Sequence, residues 1–363
     1  MIPTVETVRA TAASVSDSVP EGLTCGEISA GLYGLGFVGR SAFTQLQARA
    51  VRLVSCYDAN RALQGTFHDG LPVYGAGALE EAAPDFMFIS ARHAVPSVSE
   101  MLSGLGIAHV SYDAWQVATN FDAFRQVHDR LLGDERSRAV LRGVMMAMLT
   151  GDRRYCAAVY EKDQYFCLPR FCGWQTESYV DAGAFTGDSA ERFLWAQNGV
   201  FSKIYAFEPG PRQFAALQAR TRRLIEEWAL DPDSIELVNA ALGETDRVGA
   251  ASSANGQMTN LTIGGDAGAG DTAVDIVSLD RFLDGRHITF LKADVEGMEM
   301  ALLKGARETI RRDRPKLGIC VYHYPTDIPE IANYLADLVP DYRFALRHHS
   351  PQLMETVLYC WTD

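Results

Sequence analysis

Twice along this chain an apolar, strand-like run ends in a glycine-containing turn that opens directly into a helical stretch. The first junction is Gly34-Leu35-Gly36-Phe37-Val38-Gly39, after ISAGLY. The second is Asp181-Ala182-Gly183-Ala184-Phe185-Thr186-Gly187-Asp188, after ESYV. Turns of this kind join strand to helix in parallel sheets, where the helix carries the chain back across the sheet face. Two of them, far apart, predict two separately wound α/β units. A chain of 363 residues can supply both cores, since a domain takes roughly 100–200 residues.

The surrounding pattern sets the boundaries. Residues 1–24 are rich in Ser, Thr, Ala and Val without clear periodicity and read as an irregular N-terminal arm. From 25 to 115, strand-like runs (VRLVSCYD, DFMFIS, IAHVSYD) alternate with helical ones (SAFTQLQARA, VPSVSEMLSGLG), the rhythm of a small Rossmann-like accessory domain. Residues 116–175 carry apolar positions at helical spacing and read as a helical connector. Alternation resumes over 176–363, ending in YRFALRHH and ETVLYCW, two strands that predict an antiparallel hairpin closing a parallel sheet.

Composition narrows the partners. The net charge of −13 sets the molecule against nucleic acid and anionic membranes. No apolar run approaches the ~18–20 residues of a membrane span. The seven cysteines (25, 56, 156, 167, 172, 320 and 360) form no CxxC pair, and the start has no basic, then apolar, leader pattern, so reduced thiols in a cytoplasm are expected. Only five of the 33 basic residues are Lys, at 162, 203, 292, 304 and 316. Lys292 stands in an apolar strand, where an unpaired ammonium is costly.

The two junctions differ chemically. Gly34, Gly36 and Gly39, with Asp58 ending the next strand, have the form of a dinucleotide fingerprint. The same glycines also serve tight helix–strand packing, so the loop is either a nucleotide or nucleotide-sugar site or a structural turn. His93 is too isolated to assign. The second junction has acids at both ends, Asp181 and Asp188. Fixed carboxylates repel a pyrophosphate but suit S-adenosylmethionine (SAM), which has no phosphate and carries an ammonium and a sulfonium. Glu208, ending the next strand in IYAFEPGP, can accept from both ribose hydroxyls, or alternatively start a helix. Asn239 and Ala240, at the end of the third strand, lie where adenine belongs if the ligand sits at the carboxyl ends of parallel strands.

VDAGAFTGDSAERF, IYAFEPGP, LKADVEGMEMALLKGA, RPKLGICVYH and YRFALRHH…ETVLYCW together resemble the FkbM family of SAM-dependent methyltransferases, from about residue 160 to the C-terminus. The lead-in DQYFCLP and the block before it resemble the family's longer members in glycan and natural-product pathways. The resemblance implies a seven-stranded Rossmann-like class I methyltransferase sheet with an antiparallel terminal strand. It also implies SAM as cofactor and O-methylation of a small-molecule or carbohydrate-containing acceptor, and it puts Asp181, Gly183, Gly187 and Glu208 on the SAM-binding motifs.

Methyl transfer from a sulfonium requires an aligned acceptor and relief of its hydroxyl proton. The candidates stand at strand ends: Lys292, Asp294 and Glu296 after the fourth strand, and His323 after the fifth. Lys292 either pairs with Asp294 or orients the acceptor. Asp294 is either a base or a helix cap, and Glu299 reads mainly as a partner of the helix dipole. Acids 294, 296 and 299 could hold Mg²⁺, but three acids around one turn do not assign a metal. His323 is the candidate neutral-pH base, with a satisfied core histidine as its alternative. His348 and His349 either shape an acceptor pocket or face solvent. Tyr165 and Phe166 are either an aromatic lid or core.

The reading is therefore a SAM-dependent O-methyltransferase without a nucleic-acid or membrane partner, with a homo-oligomer possible. Its rivals are an NAD(P)-dependent oxidoreductase working through the N-terminal junction and a non-catalytic SAM-binding scaffold.

Overall fold

Runs such as KIYAF and KLGIC are apolar on consecutive rather than alternate positions, as expected for strands covered on both faces. In a computed structural model, which describes residues 2–173, 176–252 and 272–363, these runs build two open sheets. The N-terminal sheet contains β1 (Ser29–Tyr33), β2 (Arg52–Tyr57), β3 (Phe67–His68), β4 (Leu71–Tyr74), β5 (Phe86–Ile89) and β6 (Ala108–Ser111), in the order β3-β4-β2-β1-β5-β6.

The C-terminal region contains β7 (Ser178–Ala182), β8 (Lys203–Phe207), β9 (Ile235–Val238), β10 (Ala241–Leu242), β11 (Arg247–Ser252), β12 (Thr272–Val277), β13 (Phe290–Ala293), β14 (Lys316–Cys320), β15 (Arg343–His348) and β16 (Thr356–Trp361). Seven of these form one sheet, β15-β16-β14-β13-β7-β8-β9, and β10, β12 and β11 form a small second one. In the large sheet β16 runs antiparallel to both β14 and β15, which is the expected closing hairpin. The fold is the α/β architecture expected of class I methyltransferases. Among the described residues, no helix is long and apolar enough to cross a membrane.

The N-terminal arm differs from expectation. Val5–Ser18 is a helix capped by Thr4, whose hydroxyl accepts from the Thr7 N–H. Val8 and Ala12, one turn apart, are its buried residues. So narrow a stripe of small side chains gives little periodic signal, and tertiary packing supplies the stability.

The N-terminal sheet, the helices and the large sheet are joined by specific contacts. Ser137, in helix Glu135–Thr150, accepts from the Leu346 N–H (2.9 Å) and from Arg347 (2.7 Å) on β15. Arg92 forms a two-pronged pair with Asp113 (2.7 and 3.1 Å) and donates a third bond to the carbonyl of Tyr322 (2.6 Å). That last bond ties the accessory sheet to the loop that carries His323.

Candidate active site

Ligands bind open parallel sheets beyond the carboxyl ends of the strands. Here the turns after β7, β8, β9 and β13 enclose a cavity of about 250 Å³. Gly183 lines it at φ +77°, and a Cβ there would lie 1.9 Å from the Asp294 carbonyl oxygen. Only glycine lets the two turns close on one another. Gly187, at φ +86°, is outside the lining; a Cβ there would meet Leu217 at 2.9 Å, so this glycine serves packing. Asp188 lines the cavity as the first residue of helix Asp188–Ala196.

Glu208 is a buried carboxylate on the cavity wall. One oxygen accepts from the Phe185 N–H (3.0 Å) and the other from the Gly210 N–H (2.7 Å). Burial pushes its carboxyl up to about 7, against the opposing pull of these two bonds and of Lys292. Each oxygen keeps a second acceptor site, which is what a pair of ribose hydroxyls needs. Ala240 also lines the cavity. The Asn239 amide instead donates to the carbonyls of Glu208 (2.8 Å) and Pro209 (3.2 Å), bracing the turn.

Lys292 lines the cavity but is almost entirely buried, and its ion-pair partner is Asp181 at 3.1 Å, where the sequence suggested Asp294. It also donates to the carbonyls of Gly183 (2.7 Å) and Ala182 (3.3 Å). The register explains this, because Lys292 on β13 sits directly opposite Asp181 on β7. Burial would lower the Lys292 pKa, but Asp181 and Asp294 outweigh it and hold the ammonium charged. Asp181 therefore lies beneath the cavity, bonded to Ser189 (2.6 Å) and paired with Lys292, rather than in its wall.

At the far end of the cavity Asp294 accepts from the hydroxyls of Tyr165 (3.1 Å) and Tyr322 (3.2 Å). Burial raises its carboxyl, but Lys292 and His323 draw it below its ordinary value, so it is ionised. Burial and Asp294 together keep both tyrosines as phenols.

The sequence of this region matches the family model described as the methyltransferase FkbM domain. The match spans residues 181–344. Over the whole chain the fold is similar to that of a crystal structure of methyltransferase FkbM from Methylobacillus flagellatus KT, with TM-score 0.60, 23% identity, and 98% of each chain covered. Weaker likenesses include an rRNA methylase from Streptococcus thermophilus (TM-score 0.33, 14% identity, 58% of this chain and 93% of that one). Another is precorrin-6y C5,15-methyltransferase from Geobacter metallireducens GS-15 (TM-score 0.31, 10% identity, 58% and 88%). No curated protein matches the sequence.

Within the FkbM domain, His323 differs from the expected neutral base. Burial lowers its pKa, but Glu299, Glu296 and Asp294 raise it well above the ordinary value, so without another cation the ring is protonated at neutral pH. Its Nδ1 lies 3.1 Å from Glu299, and its Nε2 lies 3.5 Å from Glu296 and 3.7 Å from Asp294. His348 and His349 do not line the cavity. His348 is buried against Thr356 (2.8 Å) and the Gln352 carbonyl (2.9 Å), and His349 bonds the Glu161 carbonyl and the Tyr359 hydroxyl, both at 2.9 Å. Tyr165 lines the cavity, whereas Phe166 packs on Phe193 and Phe290. All seven cysteines are free thiols.

Two cavity residues escaped sequence reasoning. Glu355, just before β16, lines the wall and accepts from Gln164 (2.5 Å); burial and the charge of Asp294 raise its carboxyl above the ordinary value. Tyr322 lines both this cavity and a second one of about 360 Å³, which also includes Arg92, Arg153 and His323. Both fall inside motifs quoted above, Glu355 opening ETVLYCW and Tyr322 near the end of RPKLGICVYH, but no residue pattern there points to a site.

At the N-terminal junction Gly34 and Gly39 serve packing, whereas a Cβ on Gly36 would meet nothing within 4 Å. A Cβ on Gly39 would lie 2.0 Å from the Gly34 carbonyl. The Asp58 oxygens accept from the N–H groups of Leu35 (2.7 Å) and Asn60 (2.8 Å), so the carboxylate braces its own loop. Phe37, opening the following helix, stacks on Tyr324 at 4.9 Å, next to His323. This junction thus docks the accessory sheet onto the FkbM domain.

Proposed function

We propose that this chain is a SAM-dependent O-methyltransferase acting on a small, hydroxyl-rich acceptor, in keeping with its FkbM domain. The observation that carries the reading is Glu208, a buried carboxylate on the cavity wall with one acceptor site left on each oxygen. SAM, when bound, supplies a methyl group on a sulfonium. The residues fit it: Glu208 for the ribose, the Gly183 turn for close approach, Ala240 beside the adenine, and Asp188 at the polar rim.

The chain's own groups then hold and deprotonate the acceptor. Asp294, Tyr165 and Tyr322 form a hydrogen-bonded set at the far end of the cavity, and Glu355, with its raised pKa, is the proton acceptor we assign. With SAM held by Glu208 and the Gly183 turn, the sulfonium would supply the methyl group to the acceptor oxygen, and Glu355 would take the hydroxyl proton. Lys292 stays charged and fixes the turn carbonyls. The second cavity, with Arg92, His93, Ser111 and Arg153 in its walls, offers convergent polar groups to a carbohydrate.

Calorimetry with SAM tests the reading. Binding by the intact chain that is lost in Glu208→Ala is expected, and a folded chain that binds no SAM overturns it. With an acceptor in hand, Glu355→Gln lowers kcat by about 10²-fold while leaving SAM affinity unchanged.

A further inference from the structure

Beside the cofactor cavity, where the exits of β13 and β14 meet, three carboxylates surround one buried imidazole. His323 is 4% exposed at its side chain, and neither ring nitrogen makes a hydrogen bond in acceptable geometry. A buried polar atom is ordinarily bonded, so this ring stands out. Its Nε2 faces Glu296 at 3.5 Å and Asp294 at 3.7 Å. These distances are long for hydrogen bonds. They are the spacing of neighbouring donors on one ion, because metal–ligand bonds of ~2.0–2.2 Å at near-tetrahedral angles put donor atoms ~3.5 Å apart.

The other ring nitrogen completes the arrangement. Nδ1 lies 3.1 Å from Glu299, whose same oxygen accepts from the Val295 N–H at 2.9 Å. Glu299 thus stands at ion-pair distance behind the ring, on the side away from Asp294 and Glu296, where a metal-binding histidine ordinarily has a carboxylate. Among the described residues, the donor atoms that all lie within 4.8 Å of one another are those of Asp294, Glu299 and His323, and Glu296 approaches this cluster through His323 Nε2.

The nearby cations have other partners. Lys292 pairs with Asp181, and Arg92 pairs with Asp113. Of the three carboxylates only Glu299 is fully buried, while Asp294 (24% exposed) and Glu296 (31%) are half-buried and reach the cavity.

We propose that His323 Nε2, Asp294 and Glu296 bind a divalent cation, with Glu299 as the positioning residue behind the ring. One imidazole among carboxylates selects Mn²⁺, Fe²⁺ or Zn²⁺ over Mg²⁺ and Ca²⁺, which prefer all-oxygen sites. Asp294 and Glu296 also line the cofactor cavity, so the ion sits at its border. There it would lower the pKa of an acceptor hydroxyl. That role rests on the methyl-transfer reading; binding of the ion does not.

Manganese titration of the intact, EDTA-treated chain, followed by electron paramagnetic resonance, tests the site. One Mn²⁺ bound per chain and displaced by Zn²⁺ is expected. Glu296→Gln and His323→Asn should each weaken it at least tenfold, with Glu299→Gln weakening it by about 10-fold or more. The Glu296 side chain is 31% exposed, so its variant tests the site even if His323→Asn does not fold. A folded chain that takes up neither Mn²⁺ nor Zn²⁺, or a Glu296→Gln variant with wild-type affinity, overturns the proposal. SAM calorimetry on the same EDTA-treated sample separates failure of the metal site from failure of the methyltransferase reading.

Discussion

Lys292 Nζ lies 3.1 Å from Asp181 Oδ1, with both side chains sealed from solvent at the centre of the large sheet. The pair joins β13 to β7 beneath the cavity and holds the Gly183 turn through the Lys292 bonds to its carbonyls. A buried pair of this kind is worth little against an apolar replacement, but breaking it strands a charge. Asp181→Asn is therefore expected to cost about 3–5 kcal/mol in urea unfolding. The double variant Asp181→Leu with Lys292→Met should recover most of that loss. Equal loss in the single and double variants would remove the pair from the account.

The Glu208 carboxyl is pushed up to about 7 by burial, so under the proposed function SAM affinity is expected to depend on pH. In the binding mode proposed above, the ionised form is the one that would accept both ribose hydroxyls. Below pH 7 a proton must leave before binding, so the dissociation constant should rise about tenfold per pH unit and level off above the pKa. Calorimetry from pH 5.5 to 8.5 checks this, and Glu208→Gln should bind weakly at every pH without the slope.

Arg92 is the partner of Asp113, and their side chains are 19% and 6% exposed. Arg92→Met leaves that carboxylate largely buried without its cation, with an expected cost of about 3 kcal/mol. It also frees the Tyr322 carbonyl, so acceptor KM should rise while SAM affinity holds. A loss of SAM affinity as large as the loss in KM would show that the contact acts on the whole domain rather than on the acceptor side.

His348 is held neutral, its pKa lowered by burial to about 4. The unfolded ring binds a proton near pH 6.5, so between about 6.5 and 4 the unfolded state gains the proton first. Stability is full above this window and falls through it as pH drops, by about 3 kcal/mol in all. Thermal melts of wild type and His348→Gln across the window should converge toward low pH.

Much of this was legible in the residues themselves. The alternation of apolar runs and helices marked both sheets, and YRFALRHH…ETVLYCW marked the antiparallel hairpin, because strand period and burial are local properties. Gly183 and Glu208 could be placed in the site because a strand-to-helix turn puts them at the carboxyl end of the sheet. The helix Val5–Ser18 was hidden, since its buried stripe is two small residues whose value arises only on packing.

Side-chain partnerships were not legible. Lys292 and Asp294 share a strand face by period, yet Asp181, from a strand far away in sequence, is the partner that register puts opposite Lys292. Glu355 reaches the cavity only through the closing hairpin, and Phe37 reaches Tyr324 only because two separately wound sheets dock.

By itself the sequence determined the main strands of the two larger sheets and where their turns carry glycine and acid, and hence a cofactor-type turn on the second, while the short strands β3, β4 and β10–β12 went unmarked. The tertiary structure alone decided the charge of each site residue. Whether His323 is neutral or protonated, or Glu208 ionised, depends on which carboxylates and amides lie within a few ångströms and how much water is excluded, and those neighbours come from distant parts of the chain.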